Sequence, residues 1–276
     1  MIKAIILSKD RPAQLHLCLE ALNQNHDGVF SEVSVIYTSS SEAFEDGYEL
    51  TQEAFENVTW VKQRKFKDDV MEELNDDRCR LISFFTDDDI MYRKLGINNN
   101  TLYGMFEALD ELSCFSLRLG LNTVVQDPYN GMQTTPPTSG FIGSDEFAMW
   151  RWRDCPSYMN FGYPLSVDGH IFRASTLRDV HKDVEFNNPN QQEVAIQVKN
   201  PTLGNFMACF KQSAVVNTPL NRVQTTCMNR SGERFGCAAE LMNERYCAGE
   251  KLDLSSIDFS NIVGCHQELE IKWTTK

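Results

Sequence analysis

Asp87, Asp88 and Asp89 follow directly on the apolar run Leu81-Ile82-Ser83-Phe84-Phe85-Thr86. A β-branched and aromatic run of that length reads as a buried strand. Three carboxylates are thus delivered at a strand's carboxyl end, where open α/β sheets bind ligands. Carboxylates crowded together repel one another unless a cation sits among them. Hard divalent ions such as Mg²⁺ or Mn²⁺ take oxygen ligands and share them with substrate phosphates. The triplet therefore points to a metal held for a phosphorylated substrate, with a solvated acidic turn as the plain alternative.

Three further constellations carry chemistry. Ser8-Lys9-Asp10-Arg11-Pro12 leads from the first apolar run into a helix. Such an N-terminus offers free N–H groups and a partial positive charge to an anion, although capping and surface charge explain the same residues without a ligand. Met149-Trp150-Arg151-Trp152-Arg153 combines rings that stack on sugar faces with guanidinium groups that bind phosphates; a strand with Trp inward and Arg in water fits equally well. Residues 229–236, with two arginines, two glycines and a phenylalanine, suit either a lid over a diphosphate or a surface turn. No G-x-G-x-x-G follows the first strand and no G-x-x-x-x-G-K-[ST] occurs, which disfavours a dinucleotide site and a P-loop.

The elements that must position these residues alternate through the first half. Strands are expected over 4–8, 33–37, 58–61, 81–86 and 114–121. Helices are expected from Pro12, where Leu15, Cys18, Leu19 and Leu22 share one face, and over 48–56, 68–75 and 101–112. Repeated β-α-β units with short links predict an α/β fold with a parallel sheet and right-handed crossovers. Beyond it, residues 127–143 read as a long loop. Strands follow over 167–173, 213–217 and 261–265, a helix starts near Gln191, and another spans 238–247.

Composition bounds the partners. The 276 residues carry 26 basic and 39 acidic side chains, a net charge of −13. A duplex nucleic-acid binder or an anionic-membrane binder shows the opposite balance. No run approaches the ~20 apolar residues of a membrane span, and the N-terminus reads as a strand rather than a signal peptide. Nine scattered cysteines with no C-x-x-C pair fit reduced thiols in a cytoplasmic setting.

The segment Ile5-Ile6-Leu7-Ser8-Lys9-Asp10-Arg11-Pro12-Ala13-Gln14-Leu15 resembles the first strand and helix of nucleotide-sugar-dependent glycosyltransferases of the GT-A fold, including the family of cellulose- and chitin-synthase-like enzymes. Thr86-Asp87-Asp88-Asp89 falls where that fold carries its D-x-D motif, and the segment Tyr163 to Arg173 resembles its acceptor-side strand. The resemblance implies a single GT-A domain with a mixed, mostly parallel sheet flanked by helices. Residues 1–122 would form its nucleotide-sugar half and 123–276 its acceptor half.

It also implies roles. Asp87 and Asp89 would bind Mn²⁺ or Mg²⁺ and, through Asp87, the donor ribose. Ser8, Asp10, Arg11, Thr38 and Ser39 would meet the nucleotide; Arg151, from the chemistry of its own cluster, would belong to a donor or acceptor wall. His266 would complete the metal site, with His170 in reserve. Transfer with inversion needs a carboxylate to take the acceptor's proton; Asp168 and Glu193 are the candidates and Asp145 a third. The partners would be a nucleoside-diphosphate sugar, in the first place a UDP-sugar, and a glycan hydroxyl. A sugar-1-phosphate nucleotidyltransferase is the rival, lacking here the glycine-rich loop for a triphosphate. A non-catalytic nucleotide-sugar module is a third reading. A haloacid-dehalogenase-type phosphatase is set aside because its D-x-D lies on the first strand.

Overall fold

The computed structural model describes residues 1–127, 131–132, 135–136, 138, 145–223 and 232–276. In chain order the strands are β1 (Ile2–Lys9), β2 (Glu32–Thr38), β3 (Thr59–Lys62), β4 (Leu81–Thr86), β5 (Asp89–Met91), β6 (Leu112–Ser116), β7 (Val125–Asp127), β8 (Gly131–Met132), β9 (Phe147–Arg151), β10 (His170–Arg173), β11 (Phe206–Phe210), β12 (Val215–Asn217), β13 (Glu250–Leu252) and β14 (Trp273–Thr275). The helices are α1 (Pro12–Asn25), α2 (Glu42–Ala54), α3 (Phe66–Leu74), α4 (Asn99–Ala108), α5 (Ala174–His181), α6 (Pro189–Gln197) and α7 (Ala239–Cys247).

Eight strands form one sheet in the order β3-β2-β1-β4-β10-β6-β11-β9. β1, β2, β3 and β4 are parallel, as are β6 and β11, whereas β10 and β9 run antiparallel to their neighbours. The fold is therefore α/β with a mixed, mostly parallel sheet flanked by helices. The chain moves outward from β1 to β3 and then returns to β4 on the other side of β1. This reversal opens a crevice at the carboxyl ends of β1 and β4, the place where such sheets bind ligands.

Strand alternation feeds two cores. Ala4 and Ile6 of β1 pack on one face of the sheet with Leu15, Cys18, Leu19 and Leu22 of α1, while Ile5 and Leu7 pack on the other with Val70 and Leu74 of α3. The opposite side of α1 is covered too. Ala13, Leu17 and Ala21 meet Met242 and Tyr246 of α7 and Leu252 of β13 in a third apolar cluster. The C-terminal segment thus forms an outer layer over α1 and locks the helix whose first turn borders the crevice.

Some expected elements differ. Residues 261–265 form no strand; isolated bridges join Val125 to Gly264 and Asn217 to His266, because no continuous ladder partner lies alongside. The strand before α5 covers only His170–Arg173, and Trp273–Thr275 supplies the last one. The expected loop 127–143 lies largely outside the described residues, as do 229–231 of the expected lid. Among the described residues no helix is long and apolar enough to cross a membrane.

Burial also sets a pH dependence. His16, His170 and His181 are buried, and desolvation pulls them down to about 4, about 3 and about 4. Unfolded, each ring takes its proton near 6.5. Between that pH and the folded value the unfolded state binds more protons, so each ring withdraws about 1.4 kcal/mol of stability per pH unit as pH falls. NMR titration should find these three rings still neutral at pH 5. Protonated shifts there would remove the effect.

Candidate active site

The crevice is a cleft of about 880 Å³, within the range of small-molecule sites. Two elements close its floor. The Ser8 hydroxyl, at the end of β1, donates to Asp87 Oδ2 at 2.8 Å and exchanges a 2.7 Å hydrogen bond with the Tyr48 hydroxyl. The Lys9 amide also donates to Asp87 Oδ2, at 3.3 Å. Asp87 is therefore fastened across the β1/β4 switch point. Burial lifts its carboxyl to about 6, against the pull of Arg11.

Arg11 lies at the N-cap of α1, and its guanidinium spans the crevice. Nη1 donates to Asp87 Oδ1 at 2.9 Å and to Asp88 Oδ2 at 3.0 Å, Nε donates to Asn221 Oδ1 at 2.8 Å, and Nη2 donates to the Asn221 carbonyl. Asp88 Oδ1 accepts from the Thr86 hydroxyl and the Asn217 amide, both at 2.8 Å. The cation expected among the aspartates is present as a side chain of the protein itself.

Asp89 faces elsewhere. It opens β5, which pairs with β12, and it is 2% exposed. Its Oδ2 accepts from the Thr86 amide at 2.9 Å and its Oδ1 from Asn217 at 3.1 Å. Burial, with Asp168 and Asp88 nearby, holds its carboxyl well above the ordinary range. The cleft-lining pair is Asp87 and Asp88, so the expected pairing of Asp87 with Asp89 is corrected: the β5–β12 ladder turns the third aspartate inward.

His266 lines the same cleft as Asp87 and Asp88 and is met there by Asp168. Its Nε2 is 3.4 Å from Asp168 Oδ2. Among the described residues no three His, Cys, Asp or Glu side chains converge as a metal-holding group. The position bridging Asp87 and Asp88 is filled by Arg11 Nη1. The residues as arranged do not fit the expected Mn²⁺ or Mg²⁺ site.

A second acidic group borders the same cleft. Asp168 pairs with Arg118 Nη1 at 3.0 Å and approaches the Thr86 hydroxyl at 3.4 Å. Although burial acts to raise it, His266 and Arg118 hold its carboxyl down at about 2. Glu193, in the second turn of α6, accepts from the Val167 amide at 2.8 Å and the Ser166 hydroxyl at 3.0 Å. Burial and the neighbouring Asp168 charge push Glu193 up. Asn188 caps α6 by accepting from the Gln191 amide at 2.9 Å, with Pro189 in the first turn.

The remaining expected residues divide. Thr38 and Ser39 line the cleft at the end of β2, and the Ser39 hydroxyl donates to Glu45. Asp10 does not line it: at φ 54° its carboxylate accepts from the Ser40 amide at 2.6 Å and braces that loop. Arg151 is exposed on the edge strand β9, four strands from β4, because strand alternation sends Trp150 inward and Arg151 to solvent. Asp145 is exposed, and His170 is buried against the Pro164 carbonyl. In the described part of the expected lid, the amides of Glu233, Arg234 and Phe235 donate to the Glu268 carboxylate.

Arg118, Asn217 and Asn221 escaped the sequence reading. Only Arg118 left a trace: a lone charge in the apolar run Leu117-Arg118-Leu119. Nothing local marks the two asparagines, whose partners lie far away in sequence.

A carboxylate-lined crevice at the switch point of a mixed α/β sheet is the class of site this fold presents. No family model matches the chain. It is similar to the bifunctional glycosyltransferase pgtA of Dictyostelium discoideum, 24% identical over 191 residues, covering 65% of this chain and 25% of that protein. The chain thus spans about a quarter of the curated relative's length. The glycosyltransferase resemblance expected from the sequence is matched by this relative. Among solved structures, S. aureus TarS 1-349 is 15% identical at a TM-score of 0.46, covering 78% of this chain and 59% of that one. A cytidylyltransferase from Leptospira borgpetersenii is 12% identical at a TM-score of 0.39, covering 73% and 72%. Likenesses at this level carry no weight for the chemistry.

Proposed function

We propose that the chain is a glycosyltransferase that takes a sugar from a nucleoside-diphosphate sugar and passes it, with inversion, to a hydroxyl of a glycan acceptor. One observation carries the reading: a single cleft is lined both by the Arg11–Asp87–Asp88 cluster and by Asp168 with Glu193. The first group suits a diphosphate-bearing donor, whose nucleoside lies toward Thr38 and Ser39. The second supplies a base. The relative named a glycosyltransferase supports the class. Residues 1–122 contribute most of the donor wall and 123–276 the acceptor wall, with Asn217 and Asn221 reaching back to the aspartate cluster.

Between the two candidate bases, Glu193 is the stronger. A carboxylate held at about 2 by Arg118 and His266 has little affinity for a proton, whereas Glu193 is pushed up. In the transfer, the acceptor oxygen forms a bond to the anomeric carbon as its proton passes to Glu193. The bond from that carbon to the phosphate oxygen breaks, and the nucleoside diphosphate departs with the electron pair. Asp168 keeps Arg118 and His266 in place beside the reaction.

The test is a donor screen with UDP-sugars and simple sugar acceptors, read by release of the nucleoside diphosphate and by the anomeric proton in NMR of the product. Transfer to a new glycosidic bond is expected. Pyrophosphate formation from UTP and a sugar 1-phosphate would establish the nucleotidyltransferase instead. Binding of UDP with no release of sugar from any donor would reduce the chain to a binding module.

A further inference from the structure

Arg11 occupies the place where a divalent ion would bridge the aspartates. One nitrogen, Nη1, sits 2.9 Å from Asp87 and 3.0 Å from Asp88. Its side chain is only 11% exposed, and Nε and Nη2 are tied to Asn221. An ion binding both carboxylates at that point would have to expel a guanidinium held by three residues. Other acceptor sites are engaged too: Asp87 Oδ2 takes bonds from Ser8 and Lys9, Asp88 Oδ1 from Thr86 and Asn217, and each oxygen of Asp89 takes one, from Thr86 and from Asn217.

We propose that Arg11 is the resident cation of this aspartate pair, so that the chain holds its diphosphate-bearing donor without a divalent metal. Arg11 lines the cleft, where its positive charge attracts a phosphate oxygen. Its charge is permanent. Asn221 fixes its orientation by accepting at both its side-chain and main-chain oxygens. The role assigned to the donor rests on the glycosyltransferase reading, but the exclusion of metal does not.

The experiment uses Mn²⁺ alone, with no nucleotide, titrated into the full chain and followed by electron paramagnetic resonance of the free ion. The wild type is expected to bind no Mn²⁺ more tightly than about 1 mM. Arg11→Met vacates the bridging position and should raise Mn²⁺ affinity at least about tenfold, a gain that Asp87→Asn added to it should abolish. Micromolar Mn²⁺ binding by the wild type, lost in Asp87→Asn alone, would overturn the proposal. So would an unchanged, weak affinity in a folded Arg11→Met protein. If that variant fails to fold, the wild-type titration still decides between the two outcomes. A failed donor screen beside weak wild-type Mn²⁺ binding would count against the enzyme reading and leave the cation assignment standing.

Discussion

Glu193→Gln is expected to lower sugar transfer by about 10²- to 10⁴-fold, the usual contribution of a positioned base. The amide keeps the shape of the side chain but cannot take the acceptor's proton. Glu193 is held by Ser166 and Val167, whereas Arg11 and Asp87 hold each other. Nucleotide affinity should therefore stay within about twofold, so the loss falls on the rate rather than on donor binding. The pH profile gives an independent signature. Burial and Asp168 push Glu193 up, so wild-type activity should rise with pH through a value above the ordinary range for glutamate. That acid limb should vanish in the variant. An acid limb retained in Glu193→Gln but lost in Asp168→Asn would transfer the role to Asp168.

Arg118→Met is expected to cost about 3–5 kcal/mol of stability, the penalty for leaving buried charge unpaired. Arg118 is 3% exposed, pairs with Asp168 and lies within electrostatic reach of Glu193 and Asp89. Without it these carboxylates lose their buried guanidinium and repel one another, with only His266 beside Asp168 to offset the charge. Asp89 and Glu193, already held up by burial, should rise further. Protonation relieves the strain, so the deficit should be largest near pH 8 and shrink as pH falls toward 5. Urea unfolding at the two pH values measures it. A loss below about 1 kcal/mol at pH 8 would show that Arg118 is not the neutralising charge of this corner.

The placing of the candidate site was legible early in the chain. Apolar runs of strand length, Pro12 at a helix start and the carboxylates after Thr86 are local signals, and together they locate a crevice where β1 and β4 end. The α1 face through Leu15, Cys18, Leu19 and Leu22 follows from helical spacing and is found against the sheet. What local signals could not decide is direction. Trp150 and Arg151 suit a sugar wall or an edge strand equally, and only the pairing of β9 with β11 sends the arginine to solvent. Likewise, residues 261–265 have strand composition but no ladder beside them.

From its residue order alone the chain specified a β-α-β sheet and the edge at which acidic chemistry gathers, because periodicity and strand ends are properties of neighbouring residues. Tertiary contacts chose which aspartates serve the cleft and which cation answers them. Asp89 turns inward because β12, over 120 residues later, pairs with β5. Arg11 bridges Asp87 and Asp88 because Asn221 holds its other nitrogens. Charge is neutralised by whatever lies nearest in space, and in this chain the nearest groups are among the most distant in sequence.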